Sequence, residues 1–205
     1  MPDRLSEIFG ITQHDWDRTT AFDAFVGAAA MPLHISTSHV RSFNGFRVLV
    51  RTILNRFKEL VELNRLYRLF YNDNGTPRRE KAAQLALFGV ADAYCSANDV
   101  DLSPEADSDT GPVDFKFSTG YSARILAEVK LSTNSKLLDG FNRQLAAYQA
   151  AEKTYCAFYV VIRIDDSTSR INALTMRHND AAKLMMDCPE LIIIDARPTK
   201  SASKR

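Results

Sequence analysis

Along the first third of the chain apolar residues recur at Phe46, Val50, Ile53, Phe57, Leu60 and Tyr67, in steps of three, four and seven. That spacing puts them on one helix face and predicts a single long amphipathic helix over roughly residues 40–70. A shorter helix is expected over 19–30. The pattern stops at 72–77, where Asn, Asp, Asn, Gly, Thr and Pro follow one another as turn formers and mark a boundary. Past it, Thr76 can cap and Pro77 can open a helix reaching about Tyr94, with Glu80 in its first turn. The acidic stretch 99–109 shows no apolar period and reads as a solvated loop.

Two runs then alternate with a period of two, as half-buried strands do. In 113–118, Val113, Phe115 and Phe117 alternate with Asp114, Lys116 and Ser118; in 124–131, Ile125, Ala127, Val129 and Leu131 alternate with Glu128 and Lys130. The short segment between them predicts a hairpin. A helix is expected over 136–153, then a strand buried on both faces over 155–164, whose residues are almost all apolar. A strand near 170–176, a helix near 179–187 and a buried strand over 191–195 complete the pattern, before a polar tail at 198–205. The expectation is an α/β fold, with a helical extension over 1–75 and a mixed-sheet core over 76–197.

Composition narrows the function classes. At 205 residues and 45% hydrophobic content the chain can bury a substantial core, and no apolar run approaches the ~18 residues of a membrane helix. A soluble, cytoplasmic protein is expected. The three cysteines, Cys95, Cys156 and Cys188, are too far apart for a zinc knuckle or redox motif and read as small core residues. The four histidines show no metal-ligand spacing and no nucleophile-elbow motif is present, which argues against other hydrolase chemistries. A net charge of +1 gives no global attraction to nucleic acid. Locally, Arg41, Arg47, Arg51, Arg56, Lys58, Arg65 and Arg68 face only Glu59 and Glu62 on the long helix. This stripe is either a solvated outer face or a surface for phosphate or a partner, and its seven-residue recurrence would suit a homodimer, a partner subunit or packing on the core.

The candidate chemistry lies on the hairpin. Side chains two apart on a strand leave the same face, so Glu128 and Lys130 stand side by side. If the turn is the three residues 120–122, Asp114 falls opposite Glu128 and the two carboxylates come within about 5 Å. Such neighbours repel unless a cation lies between them. The pair therefore predicts a divalent metal site, with Asp114, Glu128 and the Val129 carbonyl as oxygen donors suited to Mg²⁺ or Mn²⁺. Taken alone, a Glu-x-Lys triplet equally describes the polar outer face of a half-exposed strand.

The order of the surrounding residues adds to this. Pro112-Val113-Asp114 followed by Glu128-Val129-Lys130 resembles the PD-(D/E)XK nuclease superfamily, whose core runs helix, three-stranded meander, helix, strand. Gln144-Leu-Ala-Ala-Tyr148, on the helix expected after the hairpin, is similar to the Gln-x-x-x-Tyr motif of the RecB-like exonuclease branch. The resemblance covers about 77–164. It implies a restriction-endonuclease-like αβββαβ core and Mg²⁺-dependent hydrolysis of phosphodiester bonds in nucleic acid, DNA favoured, in repair or in restriction and anti-phage defence. It further implies that Gln144 and Tyr148 orient the site, and that Glu80 is an added acidic ligand or catalytic residue. A first-turn acid is also what a helix dipole favours, and Gln144 and Tyr148 fit an ordinary helix with a solvated and a half-buried side. The alternative is a non-catalytic member of the same fold that binds nucleic acid or protein. The chain carries no Gly-rich phosphate loop, so any motor would be another protein.

Overall fold

A computed structural model describes residues 42–108, 111–120, 123–141, 149–150, 154–166, 168–184 and 188–198. The helix expected over 19–30 and the polar tail from 199 on lie outside them. Ser42 opens helix α1 (Phe43–Glu62), its hydroxyl accepting the Gly45 N–H at 3.1 Å. The apolar stripe is buried along its length, through Phe46, Val50, Ile53, Phe57 and Leu60. The helix does not run to residue 70. Leu63, which would continue the stripe, is 77% exposed, and Arg65 takes a left-handed conformation (φ 64°) that turns the chain into a 3-10 turn, Leu66–Phe70. The turn brings Leu66, Tyr67 and Phe70 back into the core.

Thr76 does not cap the next helix. Its N–H and hydroxyl are taken up by Asn74 within the turn, and Pro77 bridges back to Tyr71. A side chain satisfied inside a loop is no longer available as a cap. Helix α2 therefore starts later, at Glu80, and spans Glu80–Ala97.

A five-stranded sheet follows, in the order β1 (Asp101–Ser108), β2 (Gly111–Thr119), β3 (Ala123–Leu131), β4 (Ala157–Arg163) and β5 (Glu190–Asp195). The first three strands form an antiparallel meander; β3, β4 and β5 are parallel. The acidic stretch read as a loop is thus strand β1. It sits at the sheet edge, where Pro104 and surface charges are tolerated because one side of the strand needs no ladder partner. Of the helix expected over 136–153, the described residues include the short helix α3 (Leu137–Asp139), between β3 and β4, and 142–148 and 151–153 lie outside them. The segment expected as a strand over 170–176 belongs instead to helix α4 (Thr168–Leu184), whose buried residues, Ile171 and Leu174, are three apart as a helix face requires.

Both faces of the sheet are covered. On one, Phe115, Phe117, Ala127, Val129, Phe158 and Val160 pack against α1, the 3-10 turn and α2 in one cluster. On the other, Leu126, Tyr159 and Val161 meet Leu137, Ile171 and Leu174. The turn at 72–77 separates elements without separating cores. Several basic side chains of the stripe are held by the chain's own groups. Arg47 and Arg51 both donate to Glu190 on β5 at 2.7 Å, Lys58 donates to the Ile193 carbonyl at 2.7 Å, and Arg56 pairs with Glu59. Burial raises the Glu190 pKa, but the hydrogen bonds from Arg51 and Arg47 outweigh it and hold the carboxyl below its ordinary range. Among the described residues no helix is long and apolar enough to cross a membrane.

Because α1 shares the sheet's core, Phe57→Ala should cost about 3–5 kcal/mol of stability, the range for deleting a buried aromatic. Urea unfolding should show one transition shifted as a whole. A loss under about 0.5 kcal/mol, or a separate early transition, would mark α1 as an independent extension.

Candidate active site

The site forms where two paired strands part. Pairing of β2 with β3 runs from Thr119–Ala123 to Phe115–Ala127 and stops one step short of Asp114 and Glu128. The three-residue turn expected from the sequence is the one that sets this register. Beyond Phe115 the chain turns away: Val113 packs in the cluster across the sheet from Phe115 and Phe117. The Asp114 carboxylate follows the parting, its Oδ2 accepting the Val129 N–H at 2.7 Å. The Asp114 N–H faces Glu128 Oε2 at 3.4 Å.

Glu128 and Lys130 are 3% and 8% exposed, and the Lys130 ammonium lies 2.5 Å from Glu128 Oε1. A half-exposed outer face is therefore not their setting. Glu80, the first residue of α2, closes on the same ammonium at 3.4 Å, and its Oε2 accepts the Leu131 N–H at 2.9 Å and the Asn134 amide at 2.8 Å. One turn along α2, Gln84 donates to Asp114 Oδ1 at 2.7 Å. Residues four apart on a helix share a face, so α2 holds both ends of the site at once. Gln84 and Asn134 are contributors that the sequence reading did not single out. The four-residue offset from Glu80 is the signal that could have pointed to Gln84.

Two carboxylates thus hold one ammonium in a nearly dry place, with Asp114 close enough to act on it through its charge. Burial, and then the charge of Glu128, push the Asp114 pKa up to about 7, against the lowering effects of Lys130 and the Val129 N–H. For Lys130, burial opposes the charge, but Glu128 and Asp114 outweigh it and hold the ammonium above its ordinary range. Tyr159 lies beside Glu128 on β4, its hydroxyl donating to the Leu137 carbonyl at 2.6 Å. Burial first, then the Glu128, Glu80 and Asp114 carboxylates, raise its pKa as well.

Among the described residues no three His, Cys, Asp or Glu side chains converge as a ready metal-binding group. Glu80 is turned to Lys130, Leu131 and Asn134, which leaves Asp114 and Glu128 as the adjacent oxygen donors. Their chemistry, two neighbouring carboxylates with excess negative charge, fits a hard divalent cation. Gln144 and Tyr148 lie outside the described residues. The cysteines are all free; burial lifts Cys95 to about 12 and Cys156 to about 11, which makes both unreactive.

Two recesses bear on the choice of site. The larger, about 620 Å³, lies past the ends of β4 and β5, where Glu62, Asp165, Asp166 and Asp195 surround Arg197, itself paired with Asp166 and Asp195. Its acidic wall would repel a phosphate. The smaller, about 300 Å³, opens beside Asp114 and Gln84 and adjoins the carboxylate cluster.

Because the folded Asp114 pKa lies above its unfolded value, the proton on Asp114 stabilises the fold, and that stability is lost as pH rises from about 4 through about 7. In metal-free buffer at pH 8, Asp114→Asn should unfold at a temperature equal to or above that of the wild type, with the difference shrinking toward pH 4. A variant markedly less stable at pH 8 would mean that the carboxylate serves the fold.

No curated protein and no solved structure matches the chain. Residues 46–166 match the family described as a domain of unknown function (DUF8371), from within α1 to just past β4. That stretch is more than half of the sequence and includes Glu80, Gln84, Asp114, Glu128 and Lys130, and the chain belongs to this family.

Proposed function

We propose that the protein is a divalent-metal-dependent nuclease of the PD-(D/E)XK type, hydrolysing phosphodiester bonds of nucleic acid, with DNA the favoured substrate. The observation that carries this reading is the charge balance at Lys130: one ammonium, at most a tenth exposed, is flanked by Glu80 and Glu128 and joined by Asp114. A structural ion pair needs one carboxylate for one ammonium. The surplus negative charge weakens the fold unless a further cation is supplied. The order of elements supports the same reading, since β1 supplies the first strand of a meander between α2 and the strand that carries Glu128 and Lys130.

Asp114 and Glu128, with the Val129 carbonyl, would hold Mg²⁺ or Mn²⁺, which when bound neutralises phosphate charge and makes a bound water acidic. The protein's own groups do the rest. Lys130 stands next to the two donors, placed to orient the attacking water or to stabilise charge gathering on the phosphoryl oxygens. Glu80 fixes that ammonium from the helix side, and Gln84 fixes Asp114. Hydrolysis forms a bond from the water oxygen to phosphorus and breaks one ester P–O bond, the departing alkoxide taking a proton. Repair and restriction or anti-phage defence are the settings in which such an activity would be used.

The alternative, a non-catalytic module working through the basic helix, is weakened by the pairing of Arg47, Arg51, Arg56 and Lys58 with the chain's own groups. It also gives no account of the buried charge surplus.

The test is cleavage of supercoiled plasmid and of end-labelled duplex and single strands with Mg²⁺, Mn²⁺, Ca²⁺ or EDTA. Wild type should cut only with Mg²⁺ or Mn²⁺, and Asp114→Asn should lose at least ~100-fold, the scale of removing a charge-stabilising group. Cutting that survives EDTA or the substitution would overturn the assignment.

A further inference from the structure

Helix α2 carries a second stripe that is only partly buried. Lys81, Gln84, Leu85 and Phe88 follow at steps of three and four, and all four line the recess of about 300 Å³ beside Asp114. Pro104 of β1 and Phe115 of β2 form the opposite wall. Leu85 and Phe88 are half-buried, Pro104 is exposed, and the Lys81 side chain reaches solvent at the rim. An amphipathic helix ordinarily turns one apolar face inward, and here that face is Ala83, Ala86, Leu87, Val90 and Ala91. Leu85 and Phe88 lie beside that face; Phe88 packs against the core with part of its surface and lines the recess with the rest.

Continuity decides the occupant. Gln84 and Asp114, joined by a hydrogen bond of 2.7 Å, both line the recess, so it adjoins the candidate site. A base hangs one sugar away from its phosphate, within reach of a groove that begins at a phosphate-handling carboxylate. The volume lies at the lower end for small-ligand sites and suits one nucleotide, not a duplex. Its walls are a phenylalanine, a leucine and a proline, the flat or aliphatic surfaces on which a base face stacks irrespective of sequence. A paired base keeps its faces against its neighbours in the duplex and cannot offer one here.

We infer that this groove is a subsite for one unpaired nucleobase of the substrate strand, with Phe88 as its stacking platform. The inference rests on the nuclease reading and names its substrate class: single strands and frayed ends, engaged without regard to sequence. Gln84 then ties the base subsite to the carboxylate, because the same amide borders the groove and holds Asp114.

The experiment compares, in EDTA, the affinity of the full chain for a single-stranded thymidine pentamer and for a pentamer of the same length made of abasic sugar-phosphate. Wild type should favour the pentamer with bases by about tenfold or more, the scale of one stacked base. Phe88→Ala and the better-packing Phe88→Leu should both lose the preference, and Phe88→Trp should keep it. Base-independent binding by the wild type, or a preference that survives in Phe88→Leu, overturns the subsite. Where such a protein still cuts DNA with Mg²⁺, the nuclease reading stands; a chain that neither binds the pentamer nor cuts overturns both.

Discussion

Glu128 and Lys130 leave the same face of β3 with almost no water around them, and in so dry a place their charges must be answered by neighbours rather than solvent. Lys130 answers Glu128 at 2.5 Å, but Glu80 and Asp114 bring further negative charge to the same spot. The surrounding elements hold this imbalance in place. Helix α2 approaches with Glu80 and Gln84 one turn apart, gripping the ammonium with one and Asp114 with the other. Strand β2 delivers Asp114 at the point where it leaves β3, and a side-chain oxygen there takes the Val129 N–H. A carboxylate raised to about 7 is a position where stability has been given up, as is common where chemistry is done.

The scaffold behind the site is tied from the far side. Helix α1 lays Phe46 to Leu60 against the sheet and fastens itself to β5 through Arg47, Arg51 and Glu190. β5 lies two strands from β3, across β4, so the arginines that bind Glu190 are set apart from the candidate site on the sheet. Positive charge that could have served a phosphate is mostly spent on the chain's own carboxylates and carbonyls. The recess beside the site is lined by α2 and by residues of β1 and β2.

The parts of this arrangement that could be read in advance are those fixed by local rules. Alternation along β2 and β3, with a three-residue turn between them, is enough to set the register as far as Phe115 and Ala127 and so to bring Asp114 near Glu128. The strands β4 and β5 announced themselves as apolar runs. Strand β1 did not, because its only reason to extend is the ladder to β2, while Pro104 and its acidic residues argue locally for a loop. The first half of helix α4 was hidden in the same way, since Ile171 and Leu174 are too few to show a period until they meet the sheet, while a helix was expected from about 179. Arg47 looked like surface because Glu190 lies 143 residues away. Gln84 passed unnoticed for a like reason, its partner Asp114 being thirty residues on and in another element.

The central claim is that Asp114 and Glu128 lack a cation that Lys130 alone does not supply. Titrating the protein with Mn²⁺ and following the free ion by electron paramagnetic resonance measures this without any substrate. The account predicts that wild type takes up close to one Mn²⁺ per chain, that Asp114→Asn loses most of this uptake, and that Mg²⁺ displaces the bound ion. Equal uptake by wild type and Asp114→Asn, or none by either at millimolar Mn²⁺, would contradict it.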